Sequence, residues 1–372
     1  EDDAGGHGVA VLSTLSGPPH VSGNEIPQAH QVHQLGTSRS MGLGDGAPGL
    51  SMHIPAEMAD GIRVIHDKSD WVITLDRNVG ATTFEELLRP LLPDSVLLDY
   101  APEFVDGFSD RVSVTTTHRG EIDLALAQGM SELGLRAVNR GPAEIVKTLT
   151  DISGKLVLRL YKPNSLAREA VGLAAAMTYL ESKGVLDDTI VIPLDAHPEI
   201  FAPGRRGLEE NALRCDLMLI RITRRSFKIE LVEVKARKAM HKPDGSLNEH
   251  IENQLVATRN FLNERVLPIG GSRVDAELQW VRATSLLHFY AERAAYAGRV
   301  ARERLDELHN LIARLGDNPV EPQYTLTGYV VTLDSGGTDH KLSRPNANIY
   351  YLTADRLEGI GFTTEFGSST TS

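Results

Sequence analysis

The chain has 372 residues, 41% of them hydrophobic, and a formal net charge of −12. This length can bury an ordinary core and favours two domains, and the acidic balance argues against indiscriminate binding to nucleic-acid phosphates. Its single cysteine, Cys215, excludes an intramolecular disulfide and a cysteine-based zinc cluster. Apolar runs are too short to cross a bilayer and no signal-peptide pattern opens the chain, so we expect a cytoplasmic protein without membrane contact. The first residue is Glu1, which is consistent with a piece of a longer protein.

The N-terminal part of the sequence predicts a linker followed by a small domain. Residues 1–60 are rich in Gly, Ser, Pro and His without a sustained period, which is typical of a linker or loosely ordered segment. Residues 61–150 alternate between strand and helix patterns, which predicts a small α/β accessory domain. Its predicted strands are Ile62 to Ile65, Trp71 to Leu75, Ser95 to Tyr100 and Arg111 to Thr116, and its predicted helices are Thr83 to Leu91 and Glu121 to Leu135.

Residues 151–366 predict a second α/β domain. It opens with a predicted strand, Lys155 to Tyr161, and a helix, Ser165 to Ser182, that Gly184 ends. Three strand-like runs follow, and a hairpin turn joins the last two. These runs are Thr189 to Leu194, Cys215 to Ile222 and Lys228 to Ala236. The remaining predicted elements are a helix at Leu247 to Glu264, a bent or divided helical stretch at Asp275 to Leu315, strands at Tyr324 to Leu333 and Ile349 to Leu352, and a helix at Ala354 to Glu358.

The residues that indicate chemistry lie on the predicted hairpin. The period of two in a strand puts Glu233 and Lys235 on the same face, among apolar residues. Charge in such a place is costly unless a metal ion or mutual pairing compensates it. Asp216 starts the neighbouring strand, so Asp216 and Glu233 can converge on Mg²⁺ or Mn²⁺, which prefer oxygen ligands. Lys235 points to the same place and can orient an attacking water or stabilise the transition state.

Asp216, the hairpin spacer and Glu233-Val234-Lys235 resemble the signature of the PD-(D/E)xK nuclease superfamily, which includes restriction endonucleases and recombination and repair nucleases. The family core is a helix, three strands, a helix and another strand. The predicted elements from Ser165 to Leu333 follow that order, with Asp275 to Leu315 as a helical insertion. The resemblance implies a restriction-endonuclease-like α/β fold and a metal-dependent endonuclease in which Asp216 and Glu233 hold Mg²⁺ and Lys235 assists the attacking water.

Two further candidate residues come from the resemblance. Many family members place a Glu near the metals on the first core helix, and Glu169 matches it as a catalytic residue and metal ligand. Many place a catalytic Gln on the helix after the Lys strand, and Gln254 matches it. A solvated helix residue is an equal alternative at both positions. One departure is Cys215, which precedes Asp216 where the family name implies Pro, although that position varies in the family.

The resemblance also implies partners. It implies DNA as the substrate, without excluding RNA, in restriction or antiviral defence. Many relatives cut both strands as dimers, which allows a homodimer. The chain has no Gly-x-x-x-x-Gly-Lys-Ser/Thr loop, so ATP-driven translocation would need an ATPase or helicase partner subunit. Clustered cations favour local contact with nucleic acid; they are Arg205, Arg206, Arg221, Arg224, Arg225, Lys235, Arg237, Lys238 and Lys242, followed by Arg293, Arg299, Arg302 and Arg304.

Other interpretations stay open. The main alternative is a catalytically inactive nuclease-fold module that binds nucleic acid or a partner ATPase subunit, and the third is a metal-dependent phosphohydrolase acting on nucleotides. A strand ending in Glu-x-Lys is, by itself, more often a structural ion pair. The segment Asp195 to Glu199 carries metal-capable side chains, but Pro198 and the lack of a fixed partner favour a structured loop.

Overall fold

The computed structural model describes residues 9–13, 50–54, 64–65, 68–76, 96–100, 111–116, 119–136, 140–158, 160, 166–197, 200, 214–238, 245–268, 275–333 and 341–364. The chain divides into two compact units, one formed by residues 1–97 and 110–118 and the other by residues 98–109 and 119–372. Helices and sheets occur together, which confirms the expected mixed α/β class. Within the described ranges, no helix is both long enough and apolar enough to span a membrane.

The first unit contains two antiparallel strand pairs. β1 (Val9–Ser13) pairs with β2 (Leu50–Ile54), inside the stretch for which a linker was expected. β3 (Trp71–Asp76) pairs with β5 (Arg111–Thr116), while β4 (Val96–Tyr100) spans the division between the units. β3, β4 and β5 confirm the strands that the sequence predicted in these three places.

One predicted strand of this region is wrong. Val64 and Ile65 are helical, and each residue is about half exposed. β-branched residues favour strands where a sheet face buries them, and these two side chains have no such burial. The predicted helix Thr83 to Leu91 lies outside the described residues.

A six-stranded mixed sheet forms the centre of the second unit. The strands of this unit are β6 (Leu135–Arg136), β7 (Ile190–Pro193), β8 (Leu217–Ile222), β9 (Phe227–Arg237), β10 (Gln323–Thr332), β11 (Lys341–Ser343), β12 (Asn348–Leu352) and β13 (Thr363–Thr364). The sheet order is β11-β12-β10-β9-β8-β7, and β6 pairs separately with β13. β9 is parallel to β10 and β10 to β12, whereas the other neighbours in the sheet are antiparallel. The expected hairpin is therefore present as β8 and β9.

The helices of the second unit surround this sheet. They are α1 (Gly120–Glu132), α2 (Pro142–Ile152), α3 (Gly154–Leu158), α4 (Leu166–Ser182), α5 (Gly245–Phe261), α6 (Ala276–Tyr296), α7 (Arg302–Asp317) and α8 (Ala354–Gly359). α4 ends as predicted before Gly184, which has a φ of +65°. The long helical stretch is divided, because the chain turns at Gly298, with a φ of +74°, between α6 and α7.

The predicted strand Lys155 to Tyr161 is wrong. α3 covers Gly154–Leu158, and Leu160 lies in a further helical turn. The adjacent side chains of Leu156 and Val157 are both buried. A short apolar run is compatible with either a buried strand or a buried helix, and periodicity alone cannot separate them.

Two glycines set how closely helices approach the sheet. A Cβ at Gly172 of α4 would lie 2.7 Å from the Cβ of Ala236 on β9, and a Cβ at Gly328 of β10 would lie 2.6 Å from Cγ2 of Ile251 on α5. Gly328 is the register partner of Glu233. Since side chains alternate along a strand, Glu233 faces α5, whereas Ala236 faces α4 on the opposite side.

Candidate active site

Asp216 lies beside the end of β9 that carries Glu233 and Lys235. It lies one residue before β8, and the register pairs Leu217 with Val232. The Asp216 carbonyl accepts a hydrogen bond from the amide of Leu194, 2.9 Å away. Its Oδ2 accepts a hydrogen bond from the amide of Val234 at 2.6 Å. Because Val234 separates Glu233 from Lys235 in sequence, this bond holds the Asp216 carboxylate beside both residues.

Glu233 is a buried carboxylate with incomplete pairing. Its side chain is 0% exposed, and its Oε1 lies 2.5 Å from Nζ of Lys235, which is 24% exposed. Among the described residues, neither Oε1 nor Oε2 accepts a hydrogen bond of good geometry, although the amide of Asp216 lies near enough to lower the pKa of the carboxyl. Buried polar atoms in proteins nearly always have a partner, so an exception of this kind indicates strain, function or a ligand.

The charges of this cluster shift one another's pKa values. Burial raises the pKa of Glu233 to about 7, and the ammonium of Lys235 offsets only part of that effect. Burial also raises the pKa of Asp216, and the negative charges of Glu233 and Asp195 raise it further. Burial lowers the pKa of Lys235, but the neighbouring carboxylates of Glu233, Asp216 and Glu169 outweigh it, so the pKa rises on balance. The site therefore favours a cation beside its carboxylates.

The remaining two predicted site residues line the same pocket. Its polar side is formed by Glu169, Asp195, Arg214, Asp216, Lys235 and Gln254, and its volume is about 150 Å³. Glu169 lies in the first turn of α4 and is exposed. Gln254 of α5 donates from Nε2 to the carbonyl of Arg214 at 2.6 Å, while its Oε1 is buried and unpaired within the described part of the chain. The structure thus brings Glu169, Asp216, Lys235 and Gln254 to one cavity, whereas Glu233 does not line it and is buried beside Lys235.

Sequence reasoning missed an ion pair in this pocket. Arg214 donates from Nε to Oδ1 of Asp195 at 2.8 Å, and both side chains are partly buried. Asp195 lies in a short 3₁₀ helix, Leu194–Ala196, directly after β7. The acidic residue at the end of a buried strand was the available signal. The neighbouring His197 is a core residue, since it is buried and its Nε2 lies 2.6 Å from the hydroxyl of Tyr290.

The donor set suits a hard divalent cation. Mg²⁺ and Mn²⁺ take oxygen ligands, and Mg²⁺ is usually held by one or two carboxylates together with substrate phosphate. Asp216 and Glu233 supply two carboxylates, and the unpaired Oε2 of Glu233 is a free ligand atom. The described residues contain no cluster of three or more His, Cys, Asp or Glu side chains arranged to hold a metal. An ion held by these two carboxylates would need water or substrate phosphate to complete its coordination shell.

Most of the clustered cations that the structure describes bind within the protein. Arg221 donates to Thr189 Oγ1 at 2.9 Å, and Arg299 donates to the carbonyl of Asp151 at 3.1 Å. Arg224 pairs with Glu307 at 3.2 Å. Arg237 lines the pocket, while Arg205, Arg206 and Lys242 lie outside the described residues. Most of the described cations that cluster in the sequence therefore make contacts within the protein. The cations that line the pocket are Arg214, Lys235 and Arg237.

Comparison with known proteins adds no relative. No family model matches the sequence, no curated protein matches it, and no solved structure matches the fold. The functional interpretation therefore depends on the pocket and on the order of the elements around it.

Proposed function

We propose that the second unit is a metal-dependent endonuclease of the PD-(D/E)xK type that hydrolyses phosphodiester bonds, with DNA as its substrate. The observation that carries the proposal is the buried Glu233 carboxylate, unpaired at Oε2, beside Asp216 and Lys235 at a polar pocket. A purely structural role gives no reason to leave that oxygen unpaired.

The order of the elements also supports the proposal. α4 precedes β7, β8 and β9, then α5 follows, and β10 completes the series after α6 and α7. This is the family order of helix, three strands, helix and strand, with α6 and α7 as the insertion. The pocket is lined by residues of α4, β9 and α5 and by Asp216 directly before β8, so Glu169, Lys235, Gln254 and Asp216 all line it.

In the proposed mechanism, Asp216 and Glu233 would hold Mg²⁺ or Mn²⁺, with Glu169 at the mouth of the pocket. Such an ion would supply Lewis-acid chemistry that acidifies water and offsets charge on the phosphate. Lys235 keeps its proton and donates a hydrogen bond toward the attacking water or the developing negative charge. Gln254 holds the loop before Asp216 through the carbonyl of Arg214. Together these residues support in-line attack on a phosphate at the pocket.

The biological setting remains a prediction from the resemblance. It comprises a cytoplasmic role in restriction or antiviral defence, a homodimer, and a partner ATPase or helicase subunit. RNA remains a second substrate to test.

The proposed activity is tested by incubating supercoiled plasmid, linear DNA and RNA with the protein in Mg²⁺, Mn²⁺ or EDTA. We expect metal-dependent cleavage by the wild-type protein and loss of cleavage in Asp216→Ala and Lys235→Ala. Arg265→Gln is the matched control, because Arg265 is exposed in the π-helical turn Leu262–Val266 and does not line the pocket. Cleavage that persists in both pocket variants would overturn the assignment of the site.

One observation favours the non-catalytic alternative. Lys235 already neutralises Glu233 at 2.5 Å, which is what a structural ion pair does. A protein that binds nucleic acid, never cleaves it in any metal, and binds equally well after Asp216→Ala would support that alternative.

A further inference from the structure

Arg214 has a fixed position at the pocket. Its carbonyl accepts the hydrogen bond from Gln254 of α5 at 2.6 Å, and the amide of the next residue, Cys215, donates to Oγ1 of Thr258 at 2.9 Å. Two consecutive residues of this segment are therefore tied to α5. A segment anchored in this way presents its side chain without first losing backbone freedom, which lowers the entropy cost of binding.

The guanidinium of Arg214 is oriented by one contact and keeps other donors. Its Nε donates to Oδ1 of Asp195 at 2.8 Å, and the side chain is only 18% exposed. Neither terminal nitrogen is hydrogen-bonded to an acceptor in the ranges that the structure describes. The planar guanidinium presents these two donors as a fork, and that fork matches two oxygens of a phosphate.

The other cations of the pocket differ from Arg214. Lys235 lies 2.5 Å from Glu233, and the proposed mechanism assigns its remaining donors to the attacking water or the developing charge. Arg237 is exposed and donates to the carbonyl of Ala236 at 3.0 Å. Arg214 is thus the partly buried cation of the pocket whose terminal donors lack an acceptor among the described residues.

The lining of the pocket indicates what Arg214 binds. The pocket has a volume of about 150 Å³, which is space enough for a phosphate group with water beside it. The acidic residues around it would repel an anion unless a cation faces it.

We propose that Arg214 binds a phosphate of the substrate through its two terminal nitrogens, and that Asp195 is the positioning residue that orients it. This inference rests on the proposed function and adds a phosphate contact to the same site. The substrate class is a phosphodiester polymer, whose negative charge makes binding depend on salt.

The test compares Arg214→Gln, Arg214→Lys and Asp195→Asn with the wild-type protein and with Arg265→Gln. Arg265→Gln removes the same charge from an exposed position outside the pocket and is the matched control. Binding of a short labelled DNA duplex is measured by fluorescence anisotropy in Ca²⁺, an oxygen-binding cation, across a range of salt concentrations. Cleavage of the same duplex is measured in Mg²⁺, and thermal unfolding is recorded for every variant.

We expect Arg214→Gln to weaken binding about tenfold and to reduce the slope of log affinity against log salt by about 0.9, the value for one lost phosphate contact. Arg214→Lys should recover the salt slope, because the charge remains, but only part of the cleavage rate, because the fork is lost. Asp195→Asn should leave the salt slope unchanged and lower the cleavage rate. A merely structural pair would change the unfolding temperature without changing the salt slope.

The outcomes separate this inference from the proposed function. If the wild-type protein cleaves DNA and Arg214→Gln matches Arg265→Gln in affinity and salt slope, the phosphate role of Arg214 is overturned while the nuclease proposal stands. If the wild-type protein binds without cleaving, the binding comparison still decides the role of Arg214. If the wild-type protein does not bind nucleic acid at all, both proposals are overturned.

Discussion

Two buried glutamates beside α5 differ in how their charge is satisfied. Glu252 of α5 accepts hydrogen bonds at Oε2 from Nε of Arg344 at 2.9 Å, and at Oε1 from the amide and the side chain of Asn346 at 2.9 and 3.1 Å. Glu233 of β9 lies 2.5 Å from Nζ of Lys235 and near the amide of Asp216, and neither of its oxygens accepts a hydrogen bond of good geometry from a described residue. The same side chain is thus fully paired at one position and incompletely paired at the other.

The pKa values of the two carboxyls follow this difference. For Glu252, burial raises the pKa, but the donors on Asn346 and Arg344 outweigh burial, so the pKa falls below its ordinary value. For Glu233, burial dominates and raises the pKa to about 7. A paired carboxylate stabilises the fold, whereas an unpaired one costs stability and is retained where function needs it. The comparison therefore assigns a structural role to Glu252 and supports a functional role for Glu233.

The largest expected effect is on cleavage. Glu233→Gln keeps the size of the side chain but removes a proposed metal ligand, so we expect cleavage to fall by about 10³-fold, the order of other lost transition-state contacts. The measurement is initial cleavage rate in saturating Mg²⁺. Glu252→Gln is the control, and its rate per folded molecule should match the wild-type protein. Equal losses in the two variants would remove the functional distinction between these glutamates.

The second effect is on the pH dependence of stability. The Glu233 carboxyl has an ordinary pKa of 4.5 and a folded-state pKa of about 7, so the folded protein binds the proton more tightly. Its contribution to stability is present below pH 4.5 and is lost as the pH rises to about 7, a change of about 3 kcal/mol. Glu233→Gln lacks this titration.

We therefore expect the free energy of unfolding of Glu233→Gln, relative to the wild-type protein, to increase by about 3 kcal/mol as the pH rises from about 4.5 to 8. Urea unfolding of both proteins in EDTA measures this difference. A difference that stays constant over this pH range would show that the carboxyl of Glu233 is not shifted.

A third effect concerns Glu252. Glu252→Ala removes the acceptor of Arg344 and Asn346, and we expect the free energy of unfolding to fall by about 2 kcal/mol, since Arg344 is partly exposed. Glu252→Gln should lose less, because its amide oxygen still accepts from Asn346. Urea unfolding at neutral pH measures both. An unchanged stability in Glu252→Ala would mean that full pairing does not distinguish the two sites.

The sequence predicted the part of the site that local geometry determines. Asp216, Glu233 and Lys235 lie on a hairpin, and the period of two together with the hairpin register brings them to one place. Those are short-range rules, so they could be applied without knowing the rest of the fold. The division of the long helical stretch at Gly298 could be anticipated for the same reason.

The pair of Asp195 and Arg214 could not be predicted in this way. It forms because β7 pairs with β8, with Pro193 opposite Leu217, and this contact joins segments that are distant in sequence. The helix α3 was likewise predicted as a strand, because the burial of Leu156 and Val157 depends on packing and not on a local period. Strand pairing between distant segments and the packing of helices therefore determine the parts of the fold that the sequence patterns did not predict.

The smallest expected effect is the response of stability to metal. If the carboxylates of Asp216 and Glu233 bind Mg²⁺, the ion stabilises the folded state by mass action, and a tenfold excess over the dissociation constant gives about 1.4 kcal/mol. Thermal unfolding with increasing Mg²⁺ should show this gain in the wild-type protein and in Glu252→Gln, because Glu252 is already paired. Asp216→Asn and Glu233→Gln should show little gain. An equal gain in all four proteins would place the bound metal elsewhere and leave Glu233 as an unpaired structural residue.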